Sequence, residues 1–356
     1  MHAVKFIVIN RETFLYKRVL PLYNVLMNTI HKTPTMKDVA KKAGVALGTV
    51  SKVFNGLPVG EDYRRRVLEA AKELDYQVNT FARGLKTNQT RNVALLIPTL
   101  RHPFFAALAD EITAALSRRD YRLTLMITNY DAEAEQKCFT MVRQNKVDGI
   151  IGLTYHPDLI IDEGIPFVTI DRHVNSNVPC VSSDNYGGGE IAAKKLHELG
   201  SRHLLFMRIG SDVYGEVNKR EAGFVSYCQQ HQITYDSIIL SDQGSEDPFY
   251  DYLRRHMHDG RLDFDGIFCN SDLMASHLMD FFDSEGIRVP EDLQIVGFDG
   301  IKDYFTGRYT CSTIVQPVAD MAEAAVSLVL NKDTTAQPAL VSLPVHFAPA
   351  GTTRDA

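Results

Sequence analysis

Thr49, Ser51 and Lys52 are the first residues in this chain whose types and spacing could do chemistry, within GVALGTVSKVFNG at 44–56. A turn glycine followed by a short helix of small and β-branched residues has the outline of a DNA-reading helix. The hydroxyls of Thr49 and Ser51 can bond phosphates or base edges, and Lys52 can reach guanine O6 and N7. Asn55 closes the segment. Among the preceding positions, Leu47 can meet a thymine methyl and Gly48 permits close backbone approach. Arg64, Arg65 and Arg66 open the next helix, where arginine is unfavourable with the helix dipole. Either solvent or phosphate contacts must therefore retain them, and Arg64 is carried forward as a DNA candidate.

Other constellations point nowhere. Gly187-Gly188-Gly189 opens a helix, but neither GK[ST] nor GxGxxG accompanies it, so nucleotide binding is not expected. His256 and His258 form an HxH with no third ligand in sequence, and no metal is expected. No GxSxG or Cys/His pattern supports hydrolysis, so the chain reads as no enzyme and as needing no cofactor. The five cysteines stand singly in apolar segments, as reduced core thiols of a cytoplasmic protein do.

The elements that must position these residues fall into blocks. The 356 residues carry a net charge of −6, but residues 36–91 hold 11 Lys/Arg against 6 Asp/Glu. That window is therefore basic while the rest of the chain is acidic, as expected for a phosphate-binding head on a separate globular body. Residues 1–34 fit neither part: they are an extension with its own strand and helix, or the product of a start placed too early, Met27 or Met36 being more economical. The run FIVI there is too short for a signal peptide, and no apolar run approaches the ~18–20 residues that span a bilayer.

From 35 to 76 the pattern is three short helices. Thr35 and Asp38 form a capping box, Gly44 ends the first helix, and Val67, Leu68, Ala71 and Leu74 recur at helical spacing in the third. A tight turn between the first two gives a helix-turn-helix. Residues 77–91 are a polar linker or conditional helix. From Asn92 onward, buried strands such as VALLIP, DGIIGLTY, HLLFMRIG and LQIVGFD alternate with amphipathic helices, giving a doubly wound α/β body with parallel sheets in two similar lobes. Ligands of such sheets sit at the carboxyl ends of the strands.

TMKDVAKKAGVALGTVSKVFNG, VLEAAKELDY and ARGLK together resemble the head of the LacI/GalR family of transcription regulators. HPFF, VDGII, IDR, VSSDNYGGG, REAGF, CNSDLMA, VPEDLQIVGFDG and TIVQP resemble its body, in the family's order. The resemblance implies an all-α head and a periplasmic-binding-protein-like body at 92–356. The expected lobes are about 92–185 with 315–342, and 186–314 with 343–356. It implies a homodimer on palindromic double-stranded operator DNA, controlled by a small effector between the lobes, a carbohydrate foremost and a purine or phosphorylated sugar as alternatives. The expected role is repressor.

In the linker, the match implies a hinge helix whose Leu85 wedges between base pairs while Arg83 and Lys86 hold phosphates or groove edges. Val78 replaces the family's usual proline, and Gly84 weakens the helix. In the body, the strand ends offer Phe104 and Phe105 as an apolar platform, and the match places Arg172, Asp184, Arg220, Asp272 and Asp299 in the effector pocket. Asp272 has a competing reading as a helix N-cap. The body alone would also suit the solute-binding component of a transport system, a reading the basic head at 35–86 opposes.

Overall fold

The computed structural model describes residues 34–76, 90–144, 147–154, 156, 166–174, 177–210, 215–241, 247–331 and 339–354. The chain forms two compact units, a head within 1–80 and a body within 81–356.

In the head, α1 (Met36–Ala43) starts at a capping box: Asp38 N–H donates to Thr35 Oγ1, and Thr35 N–H returns to Asp38 Oδ2 at 2.8 Å. It ends at Gly44 with φ 63°, a left-handed cap that glycine adopts without penalty. Helix α2 (Leu47–Phe54) follows after two residues, and α3 (Glu61–Glu73) closes the unit. Val39, Val50 and Val67, one from each helix, are fully buried and form its centre. Leu68 differs from its expected place: it faces outward, and Ala70 fills the core position instead.

The body begins with β1 (Asn92–Ile97), α4 (Pro103–Ser117), β2 (Arg122–Ile127), α5 (Ala132–Arg143), β3 (Gly149–Gly152), β4 (Phe167–Ile170) and β5 (Cys180–Ser183). A second set follows: α6 (Asn185–Glu198), β6 (His203–Gly210), α7 (Lys219–Gln230), β7 (Thr234–Ser241), α8 (Asp247–Arg255), the short pair β8 (Met257–His258) and β9 (Arg261–Leu262), β10 (Gly266–Cys269), α9 (Asp272–Ser284), β11 (Gln294–Asp299) and β12 (Thr313–Val315). The chain then returns through α10 (Val318–Leu330) and β13 (Leu340–Leu343) before β14 (His346–Ala348).

One six-stranded sheet runs β13-β5-β4-β3-β1-β2 and the other β14-β12-β11-β10-β6-β7. All their pairings are parallel except β12 with β14. The buried strands β3, β4, β5 and β11 have every residue inside, as sheets covered by helices on both faces require. The first lobe's core joins β1 to α4 and α10 through Leu95, Leu108 and Met321; the second gathers Phe206, Phe224, Phe268 and Phe298. The sequence pattern carried α8 as far as 258. The helix instead stops at Arg255, because Asp259 and Gly260 take φ 52° and 72°, a left-handed pair that closes a tight hairpin.

Candidate functional site

A cavity of about 260 Å³ lies between the two lobes of the body at the strand ends. From the first lobe it receives His102, Phe104 and Phe105 at the start of α4, and Asp171 and Arg172 just after β4. The second lobe contributes Arg208 from β6, Arg220 from α7 and Asp299 from the end of β11, while Gln316 sits where the chain recrosses. Asp171 and Asp299 hold φ of 55° and 129°, backbone strain of the kind that concentrates at binding sites.

Arg220 organises the polar side. Its Nε donates to Asn185 Oδ1 at 2.7 Å, Nη1 donates to the Asn270 carbonyl, and Asp299 Oδ1 stands 3.9 Å from Nη1. Asp299 Oδ1 also accepts from Gln316 Nε2 at 2.7 Å, and Gln316 Oε1 accepts from Ser183 Oγ at 2.8 Å. Asp171 Oδ1 accepts from Ser182 Oγ at 2.5 Å. Burial raises both carboxyls above their usual range, with Arg220 opposing, and burial lowers Arg220 itself, with Asp299 and Asp171 opposing. Burial, aided by Arg220, lowers His102 to about 4, so its ring is neutral at working pH. Donors, acceptors and an apolar platform around one small space suit a polyhydroxylated ligand.

Two expected pocket residues have other employment. Asp184 is the N-cap of α6, its Oδ1 accepting from Gly187 N–H at 2.9 Å, and it does not line the cavity. Asp272 is buried in the first turn of α9, where Ser271 is the cap. It accepts from Ile301 N–H at 2.7 Å and Thr313 Oγ1 at 2.6 Å, which pins the loop after β11. Asp184 is taken up by a free N–H of a helix start and Asp272 by a loop N–H and a hydroxyl, and spacing alone does not separate either from a ligand contact. Conversely, His102, Asp171, Arg208 and Gln316 line the cavity, although the sequence pattern does not mark them as site residues. Each lies within a stretch quoted above, and a charged residue inside an otherwise apolar strand is the signal for Arg208.

In the head, α2 presents Leu47, Gly48 and Lys52 to solvent, with Thr49 and Ser51 half-buried beside them. Asn55 donates to Ser51 Oγ at 3.3 Å. The three arginines divide their tasks. Arg66 Nη2 donates to the Ala43 and Gly44 carbonyls at 2.6 and 3.2 Å, which ties α3 to the turn between α1 and α2. Arg65 pairs with Asp62 in solvent, and Arg64 reaches the Leu57 carbonyl at 3.4 Å. Arg83, Leu85 and Lys86 lie outside the described residues.

With this geometry in place, residues 35–79 match the family described as bacterial regulatory proteins, lacI family, and residues 90–340 match periplasmic binding proteins and sugar binding domain of LacI family. The chain belongs to the LacI family.

It is 33% identical over 325 residues to the sucrose operon repressor of Pediococcus pentosaceus, covering 88% of this chain and 98% of that protein. The ribose operon repressor of Halalkalibacterium halodurans is also 33% identical, over 84% of this chain and 90% of its own. Among solved structures, the Lac repressor dimer bound to operator and the anti-inducer ONPF matches with a TM-score of 0.77 at 20% identity, covering 90% of this chain and 99% of that one. That likeness establishes the shared fold. The transcriptional regulator CelR–cellobiose complex is 26% identical with a TM-score of 0.63, over 90% of this chain and 99% of that one. As a LacI-family member the protein is a DNA-binding regulator and not an enzyme. Among the described residues, no helix is long and apolar enough to cross a membrane.

Proposed function

We propose that the protein is a cytoplasmic repressor of a carbohydrate operon, bound as a homodimer to a palindromic operator and controlled by a small carbohydrate in the interlobe cavity. The observation that carries the reading is the joint presence of an exposed reading helix in the head and the Arg220–Asp299–Gln316 network around a small cavity in the body. Family membership adds that the same two parts belong to regulators, including repressors of sucrose and ribose operons.

In the head, Thr49, Ser51 and Lys52 are the polar contacts to bases and phosphates, Leu47 and Gly48 approach the groove closely, and Asn55 and Arg64 support the backbone contacts. The hinge residues Arg83, Leu85 and Lys86 complete the interface by family resemblance. In the body, Arg172, Arg220 and Asp299 grip ligand hydroxyls against Phe104 and Phe105. A ligand acts only through different affinity for two arrangements of the protein.

A thermal-shift panel of monosaccharides, disaccharides and nucleobases on the full chain tests the ligand class. Stabilisation by a sugar, with a change in operator affinity at the same concentration, is the expected result. Stabilisation by nucleobases alone would overturn the carbohydrate reading.

A further inference from the structure

The lobes of the body also meet beside the cavity, where the loop after β4 touches the turn that opens α7. Glu216 begins the short 3-10 turn Glu216–Asn218 ahead of that helix, and its side chain is almost wholly buried, at 4% exposure. Its Oε1 accepts from His173 Nε2 of the first lobe at 2.7 Å, and Lys219 Nζ of its own lobe donates to Oε2 at 2.9 Å. A carboxylate only accepts, so Nε2 carries the hydrogen in this contact. The Glu216 N–H donates to the Asp171 carbonyl at 3.0 Å. A Cβ added to Gly215 would stand 2.8 Å from that carbonyl oxygen and from Arg172 Cδ, so the two backbones press together with no room for a side chain. None of His173, Glu216 and Lys219 lines the cavity.

The two side-chain partners of Glu216 behave differently when the lobes part. Lys219 stands at the first position of α7 and travels with Glu216. His173 belongs to the other lobe and leaves. Losing a hydrogen bond to a buried charged group shifts a two-state equilibrium by about tenfold or more. Arg220 follows Lys219 directly in the same helical turn, and its guanidinium makes the bonds to Asn185 and Asn270 that organise the cavity. The Glu216 contact and the ligand network therefore share one rigid helix start, and a shift of the first displaces the second.

We propose that His173 and Glu216 form an interlobe latch, contacting no ligand, that sets how much of the ligand-free protein holds its lobes together and thereby tunes operator affinity. The inference rests on the regulator reading above, in which two arrangements of the protein differ in affinity. Apparent affinity scales with the population competent to bind, so a latch that shifts this population regulates both sites without touching either ligand. The charge arrangement suits that role. With Lys219 still beside it, Glu216 is not left without a cation when the lobes separate, so opening is uphill but not forbidden.

The test uses the full chain without added sugar. Hydrogen exchange read by mass spectrometry follows the Glu216 N–H bonded to Asp171, and fluorescence anisotropy on a selected palindromic site follows operator affinity. His173→Ala should speed exchange of the peptide spanning 215–220 by about tenfold and change operator affinity by about threefold or more. Glu216→Gln should act in the same direction, and adding it to His173→Ala should change either readout little further, because both substitutions weaken one contact. His173→Gln, which keeps an N–H, should restore most of both and serves should the Glu216 variant not fold. Unchanged exchange in His173→Ala, additive effects in the double variant, or faster exchange with unaltered operator affinity each overturn the latch. If the wild type itself binds no palindromic site, the regulator reading has failed, and the proposed tuning falls with it even where exchange responds.

Discussion

The guanidinium of Arg220 lies 3.6 Å from the ring centroid of Phe298, so the one cation is held by an aromatic face beneath and by Asp299 beside it. Stacking and a carboxylate together fix a planar fork in a buried site, a task an ammonium performs poorly. Arg220→Leu leaves Asp171 and Asp299 buried without their shared cation. The expected cost is about 3–5 kcal/mol, the usual penalty for breaking a buried pair, read as a lower denaturant midpoint of the body. Arg220→Lys should unfold later than the leucine variant yet lose sugar-dependent stabilisation.

In the head, Arg66→Ala should destabilise the helix-turn-helix by about 1 kcal/mol, through loss of the bonds to the Ala43 and Gly44 carbonyls. Gly44→Ala should cost more. Its φ of 63° disfavours a side chain, and the added Cβ would stand 2.6 Å from Arg66 Nη2. Thermal melts following the head transition of the full chain distinguish the two, and equal stability in both would contradict the tie.

The reading helix should tolerate enrichment. Ala46 caps α2 without a side-chain bond, so Ala46→Ser should add about 1 kcal/mol of helix stability. A Cβ at Gly48 would meet nothing within 4 Å, so glutamine fits there. Selection of binding sites from a random DNA pool should give Gly48→Gln a changed or sharper half-site. An identical consensus would count against α2 as the reader.

Stability of the ligand-free protein should rise as pH falls from 8 to 5.5. Burial lifts the carboxyls of Asp299 to about 7 and Asp272 to about 6, whereas unfolded Asp titrates near about 3.9. Between those values the folded state binds more protons, so this contribution is lost as pH rises through the folded values. The exposed, depressed groups Asp292 and Glu323, both near 2, act only in stronger acid, whereas His102, lowered to about 4, opposes the rise below its unfolded value of about 6.5 and makes it shallower. Asp299→Asn should flatten the melting temperature's pH dependence across this window, and an unchanged slope would refute the assignment.

The strands and helices of the body were legible because buried parallel strands are written as unbroken apolar runs, and LQIVGFD needed no context to be placed. The hairpin at 257–262 was missed because its Asp259-Gly260 turn interrupts a segment with helical spacing. Within the site, Arg220 and Asp299 were readable from their motifs. Asp184 and Asp272 share the same residue type and similar settings, but their carboxylates cap or pin backbone N–H groups, a choice made by tertiary geometry. His102 stands within the quoted HPFF stretch, but its position opposite Asp299, 197 residues away, is a relation no local pattern reports.

The central claim, that this regulator reads operator DNA through a basic head, is met most directly by fluorescence anisotropy on a selected palindromic site at several salt concentrations. Each lysine or arginine contact to phosphate contributes about −0.9 to the slope of log affinity against log salt. The account predicts a steep linear fall, with a slope beyond about −4 for a dimer and a shallower one for Lys52→Ala. Affinity independent of salt, or equal for the palindrome and unrelated DNA, would contradict it.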